Sequence, residues 1–311
     1  MPQRSFRVPA QIPDPARSLL AVVQSALKLS KAECQRIIRD GGVKVDGKIR
    51  NKSHELLDRG QQVHVDWLPP PVPLKSQRRT KTSDIFSVVH EDRDLVVVLK
   101  PASLLTVPTK NREGKTLVSM VTHYLQKTEP EALAYCVHRL DRGVSGLLVF
   151  AKSLPIAERI RDQFADRKPD RTYSTIVSGV VAKDQATIKS YLATDENLSR
   201  YSTNRSEDGE LAITHYSVRE RWSDATLLEV KLETGRRNQI RVHLAEAGHP
   251  VIGDPRYKSQ LAEHRLWPYG RLALHAESLG FTHPRTGEAL AFQSSWPQEY
   301  RDFMRSISKH S

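Results

Sequence analysis

Apolar residues in 18–28 (SLLAVVQSALK) recur at the three- and four-residue spacing of one helix face. Ser30 followed by Glu33 in SKAE forms a capping-box pattern, in which the hydroxyl serves an orphan amide and the carboxylate reaches back. The second helix it opens is expected to run to about Asp40, where Gly41-Gly42 offers a C-terminal stop. The pattern then shortens: VKV, an Asp46-Gly47 turn and KIR predict a hairpin, and QQVHVDW (61–67) predicts a further strand. Residues 67–84 (WLPPPVPLKSQRRTKTSD) carry no apolar period and read as an extended linker rich in Pro and basic residues.

From residue 85 the texture becomes mixed. FSVVHED and DLVVVLK are strand-like runs separated by a charged turn, GKTLVSMVTHYLQK has a helical period, and GLLVFAK reads as a buried strand. SLPIAERIRDQFADR predicts an amphipathic helix. Strands are expected near 171–180, 212–219 and 225–233, a helix over 236–247, and strand again in GRLALHAESLGFTHP. No 20–50-residue period repeats, which argues against a solenoid or propeller. The expected fold class is α+β, a large and mainly antiparallel mixed sheet flanked by helices, preceded by a small N-terminal domain.

Composition narrows the setting. The chain has 311 residues and two cysteines, Cys34 and Cys136, too few for a disulfide framework, so a reducing compartment is expected. The N-terminus (MPQRSFRVPAQIPDPARS) lacks the apolar core of a signal peptide. No apolar run approaches the roughly 20 residues that span a bilayer. A cytoplasmic protein without a membrane partner is the expectation. The net charge of +12 is concentrated: residues 1–84 hold 16 Lys/Arg against 8 Asp/Glu, and residues 85–311 hold 32 against 28. Such a bias favours a polyanionic partner through counterion release, although a basic face kept for solubility would look the same.

The densest chemistry lies in CVHRLDRGVSGLLVFAK (136–152). Asp141 sits between Arg139 and Arg142, directly before a glycine-bearing turn and an apolar strand. Nearby cations favour an ionised carboxylate, and glycine permits close approach of backbone or ligand. That setting suits a nucleophilic or base-acting carboxylate, but an Asp flanked by Arg is more often an ordinary ion pair. No Cys/His cluster has metal-ligand spacing, and Gly143, Gly146 and Gly235 form no phosphate-binding fingerprint, so no metal or organic cofactor is expected.

HRLDRGVSGLLVFAK resembles the signature of the RluA family of RNA pseudouridine synthases. The resemblance implies that Asp141 is the catalytic nucleophile and that Arg139 helps displace the target nucleotide, with Arg142 beside it in the substrate site. Val144 stands where the pattern usually has Thr. LKPASLLTVP (99–108), DRTYSTIVSG (170–179) and LETGRRNQIRVHLAEAGHPVIGDPRY (232–257) are similar to further family motifs in the expected order. They imply that Tyr173 packs on the target base and that Arg241 is the ionic partner of the catalytic Asp. Two departures are visible. Arg171 replaces the usual Lys, and Arg237-Asn238 replaces the usual Thr-His before Gln239. Leu140, Ile240 and Leu274 (of RLALHA, 271–276) are expected to form an apolar wall that keeps water from the intermediate.

The first fifty residues resemble the alpha-L RNA-binding module through Leu29, Ser30, Lys31, Arg36, Gly42, Val43, Val45 and Asp46-Gly47. This implies RNA contact by Lys31, Arg36, Lys44 and Lys48. The domains expected are an N-terminal extension (1–16), the RNA-binding domain (17–66), the linker (67–84) and the catalytic domain (85–311). The expected partner is RNA, with ribosomal RNA of the large subunit favoured and transfer RNA open. No protein partner is implied, and a monomer is expected. A non-catalytic RNA-binding factor would have been supported by loss of Asp141, Tyr173 or Arg241, and all three are present. A uracil-releasing hydrolase is separable by its product.

Overall fold

In the computed structural model the described residues are 3–309, except 12, 28–30, 40–41, 67–79, 82–84, 110–114 and 167–168. They form two units, 1–72 and 73–311. In the first, strand β1 (Gln3–Arg7) precedes a 3-10 turn and two helices, α1 (Leu19–Leu27) and α2 (Lys31–Arg39). Strands β2 (Val43–Val45), β3 (Lys48–Ile49) and β4 (Gln62–Asp66) follow. Each helix buries one stripe: Leu19, Val22 and Val23 from α1, and Cys34, Ile37 and Ile38 from α2, against Val43, Val45, Val63 and Val65. The predicted hairpin turn has Asp46 at φ 48° and Gly47 at φ 79°, the paired left-handed conformation of a tight two-residue turn. Ser30 of the capping box and Asp40-Gly41 lie outside the described residues. One expectation is corrected. Residues 3–7 are not an appended extension: β1 pairs antiparallel with β4 and forms the edge of the β1-β4-β2-β3 sheet.

The second unit is built on a twelve-stranded sheet. Its elements run β5 (Thr80–Lys81), β6 (Ser87–Glu91), β7 (Leu95–Lys100), α3 (Leu117–Leu125), β8 (Tyr135–Cys136), β9 (Ser145–Ala151) and α4 (Leu154–Ala165). β10 (Asp170–Ser178), β11 (Gln185–Thr194), β12 (Arg200–Thr203), β13 (Glu210–Arg221), β14 (Ala225–Leu232) and α5 (Gln239–Glu246) follow. The chain ends with α6 (Ser259–Ala262), β15 (Leu274–Thr282), β16 (Ala289–Gln293) and α7 (Gln298–Ile307). The sheet order is β12-β11-β13-β14-β10-β15-β9-β7-β6-β5, with β16 on β15 and β8 on β9. β5 draws Thr80 and Lys81, assigned to the linker from sequence, into this sheet. The rest of the linker, with Lys75, Arg78 and Arg79, lies outside the described residues, as does the side chain of Lys81.

β9 is buried along its whole length, because hydrophobic clusters cover both faces of the sheet there. Leu148 and Phe150 face one cluster with Val96 and Val98, while Leu147 and Val149 face the other with Leu95 and Val97. This explains its unbroken apolar run. β9 meets β15 in parallel, with Gly146 opposite Ala276. A methyl group on Gly146 (φ +128°) would lie 2.4 Å from the Ala276 carbonyl oxygen, so only glycine allows this approach. Ala276 in turn pairs with Tyr173 on β10. One register therefore sets the loop before β9 beside β10.

His243 and His275 are each 1 % exposed, and each is held by two hydroxyls: Ser190 and Thr214 for His243, Ser145 and Ser294 for His275. Burial pulls both imidazoles down to about 4, with Arg271 adding to the effect at His275. Unfolded, they take up a proton below about 6.5. Between these values the unfolded chain binds more protons, so stability is present above 6.5 and is lost as pH falls towards 4. Each histidine is expected to cost up to about 1.4 kcal/mol per pH unit in that window. Urea unfolding at several pH values checks this, and His275→Asn should flatten the slope; a pH-independent midpoint between 7 and 5 would refute it.

Candidate active site

Asp141 lies in the loop leading into β9. Its backbone carbonyl accepts from Val144 N at 3.1 Å, closing a turn. Thr106, from the LKPASLLTVP segment, braces the preceding residue: its Oγ1 donates to Leu140 O at 2.7 Å and accepts from Leu140 N at 3.2 Å. Lys100 is buried behind the loop and donates to Pro101 O, Leu104 O and Arg142 O. Burial draws its ammonium down to about 7, against the pull of Asp141. These contacts hold the loop through its backbone and leave the Asp141 carboxylate partly exposed.

Two donors from one helical segment meet that carboxylate. Arg241 on α5 places Nη1 3.0 Å from Asp141 Oδ2. Its Nε and Nη2 grip Asp254 in a two-pronged pair at 2.7 and 2.8 Å. Burial acts to lower the Arg241 pKa, but the Asp254 and Asp141 carboxylates outweigh it and raise it above the ordinary arginine value. Asn238, at the start of α5 with φ 59°, donates from Nδ2 to the same Asp141 oxygen at 2.6 Å. Gln239 pins this left-handed entry by accepting from Thr234 Oγ1 and Arg236 N and donating to Ile213 O. Among the described residues no hydrogen bond is made to Asp141 Oδ1.

These groups open on a cleft of about 390 Å³, mouth included. It is lined by Asp141 and Arg241 together with Arg139, Leu140, Tyr173, Ile240 and Leu274. Leu140, Ile240 and Leu274 are almost wholly buried, as is Tyr173, whose phenol is pushed up from 10.0 by burial and by nearby Asp141. Such a phenol stays neutral near pH 7 and offers an apolar ring face.

Seven of the eight residues expected from sequence at this site are thus gathered around one cleft. Arg142 is not among its lining residues; it is exposed, and its backbone carbonyl receives Lys100. His138 does not line this cleft; it accepts from Val149 N and stacks on Phe164 at 4.6 Å. Lys31 and Lys48 are exposed on the first unit and Lys44 is partly so; the Arg36 side chain lies outside the described residues. Asn238, Thr106 and Asp254 were not singled out as site residues from sequence. The Arg237-Asn238 departure was the signal for Asn238, and the motifs at 99–108 and 232–257 contain Thr106 and Asp254 without distinguishing them from their neighbours.

Residues 94–246 match the family model of RNA pseudouridylate synthase, and residues 17–63 match that of the S4 domain. The chain is 34% identical over 284 residues to an uncharacterized RNA pseudouridine synthase of Bacillus subtilis, covering 90% of each. This chain belongs to the RluA-type family of RNA pseudouridine synthases. The synthase is also 30% identical over 321 residues to the ribosomal large subunit pseudouridine synthase D of Pseudomonas aeruginosa, covering 96% of this chain and 94% of that protein. The solved human RNA pseudouridylate synthase domain containing 4 shares the fold at TM-score 0.60 and 22% identity, covering 71% of this chain and 92% of that one. The synthase is an isomerase acting on RNA, with an N-terminal RNA-binding domain. Among its described residues no helix is long and apolar enough to cross a membrane.

One other cluster of potential ligands, Asp92, Asp94 and His283, is occupied by its own contacts. His283 Nδ1 accepts from the backbone of Arg285 and Thr286, its Nε2 faces Asp92, and the Arg285 guanidinium pairs with Asp94.

Proposed function

We propose that the synthase converts uridine to pseudouridine in large-subunit ribosomal RNA, with Asp141 as the nucleophile. The reaction breaks the bond from ribose C1′ to uracil N1, turns the detached base and rejoins it through C5, whose proton is lost. It needs a nucleophile, a wall that retains free uracil, and room for a nucleotide taken out of its stack. The observation that carries the reading is the meeting of Arg241 and Asn238 on one oxygen of Asp141 at the rim of an apolar cleft. With Oδ2 held by two donors, Oδ1 is the oxygen we assign to attack. Tyr173 stacks on the base; its raised pKa favours this over service as a phenolate base. Arg139, exposed at the mouth, helps displace the nucleotide, and Leu140, Ile240 and Leu274 exclude water.

Large-subunit ribosomal RNA is favoured by the name of the Pseudomonas relative and by the N-terminal RNA-binding domain. Lys31, Arg36, Lys44 and Lys48 are the proposed contacts of that domain, and a sequence with only two cysteines fits action in the cytoplasm. The test is tritium release from RNA labelled at C5 of uridine, comparing unmodified ribosomal and transfer RNA. Release from ribosomal RNA or its precursor particles supports the assignment; release from transfer RNA alone would overturn the substrate, and free uracil as product would overturn the reaction.

Asn238 supplies a sharper check on the nucleophile. A hydrogen bond to a charged group is worth about 1.5–3 kcal/mol, so Asn238→Ala is expected to lower kcat by about 10- to 100-fold. KM should change little, because the Asn238 amide is engaged with Asp141. An unchanged rate constant in single-turnover tritium release would remove Asn238 from the mechanism.

A further inference from the structure

Arg171 opens β10 and is 7 % exposed, yet its Nε is buried without a hydrogen-bond partner. Among the described residues no carboxylate forms an ion pair with it. Its guanidinium lies 5.1 Å from the Phe164 ring centre and packs so close to Gly235 that a methyl group there would sit 2.5 Å from Nη1. A buried cation without a counter-charge is costly, and a ring face offsets only part of that cost. Arg171 also has five N–H donors to satisfy, which an aromatic face does not do.

The space beside Arg171 is a second cleft, of about 900 Å³ with its mouth, that also receives Arg139 and Arg236 and, among the described residues, is lined by no Asp or Glu. Arg236 is partly neutralised by Glu210 at 2.9 Å, so the uncompensated charge resides on Arg171 and Arg139. His138 adds none: burial, reinforced by Arg171, pulls its pKa down to about 3. The ring of Phe164 already carries His138 and Arg171, so it is not a free platform for a base. This cleft adjoins the Asp141 cleft, and Arg139, Tyr173, Leu232 and Arg236 line both.

We propose that this second cleft seats a phosphodiester of the substrate RNA next to the target uridine, with Arg171 as its principal partner and Arg139 at its rim. A guanidinium fork matches the non-bridging oxygens of a phosphodiester, and a phosphate meeting its outer nitrogens supplies the missing counter-charge. Gly235 is needed because any side chain there would occupy the space of the fork. With Asp141 across Tyr173, the phosphate would anchor the displaced nucleotide by its backbone while the base enters the apolar cleft. This rests on reading the Asp141 cleft as the uridine site.

The test is the salt dependence of binding to an in-vitro transcript of large-subunit ribosomal RNA, for wild type, Arg171→Met, Arg171→Lys and Gly235→Ala. Losing one phosphate contact should reduce the slope of log affinity against log salt by about 0.7–0.9. Arg171→Met is expected to show that reduction and to bind about tenfold more weakly at low salt, equally on all transcripts. Arg171→Lys should keep the slope with a smaller loss of affinity. Gly235→Ala retains the charge but displaces it, and should weaken binding without unfolding the protein. Arg171→Met with wild-type slope and affinity overturns the proposal. So does a loss in Arg171→Met that keeps the wild-type slope, since that marks a packing role. Should Arg171→Met fail to fold, as read by circular dichroism, Gly235→Ala decides, and undiminished affinity in that variant overturns the proposal. Tritium release by wild type is scored separately, so failure of the assigned reaction is distinguished from failure of the phosphate site.

Discussion

Asp141→Ala is expected to lower tritium release by about four orders of magnitude or more, while affinity for unmodified ribosomal RNA stays within about twofold. The loss follows if the carboxylate is the nucleophile, since neither Arg241 nor Asn238 can form the covalent bond in its place. Affinity persists because phosphate contacts spread over the protein dominate it, and a single anion in the cleft adds nothing to them. Stability should change little. Asp141 is partly exposed, and without it Arg241 keeps both bonds to Asp254. Single-turnover tritium release, filter binding and thermal melts on the same preparation check all three. Turnover within about a hundredfold of wild type would remove Asp141 from the role of nucleophile.

Arg241→Met is expected to cost both activity and stability, for separable reasons. The Asp254 side chain is 0% exposed and takes two bonds from Arg241, beside the backbone amides of Arg256 and Tyr257. Removing the guanidinium leaves a buried carboxylate without its counter-charge, a change that typically costs about 3–5 kcal/mol. Turnover should fall as well, because Asp141 loses its ionic partner at 3.0 Å. The double variant Arg241→Met, Asp254→Asn separates the two effects. Neutralising Asp254 should recover most of the stability in a denaturant titration and none of the tritium release. Recovery of turnover in the double variant would mean that Arg241 serves the fold alone.

The elements most legible in the sequence were those whose burial is local and one-sided or complete. α1, α2 and α4 bury a single stripe, and β9 is covered on both faces, so their periods appear directly in the residues. β11 and β12 were missed because their burial is largely partial or alternating and their residues are mostly polar, leaving little apolar signal. α7 was missed although Tyr300, Phe303 and Ile307 mark its buried face. β1 (QRSFR) has no strand signature of its own and exists through its ladder with β4, about sixty residues away. Residues such as Asp141, Tyr173 and Arg241 were found through the order of their motifs, not through periodicity.

The sequence by itself determined the family and the class of fold and pointed to the residues of the candidate site, because motifs and periods are local and survive without coordinates. Tertiary structure decided who partners whom. Asp141 and Arg241, 100 positions apart, meet because β9, β15 and β10 close in register at Gly146, Ala276 and Tyr173 while α5 is pinned behind them by Gln239. The same closure gives Arg241 its second carboxylate, brings Asn238 to Asp141 and leaves Arg171 buried without a counter-charge. Charge pairing depends on distances of a few ångströms between segments far apart in the chain, and only long-range strand register sets those distances.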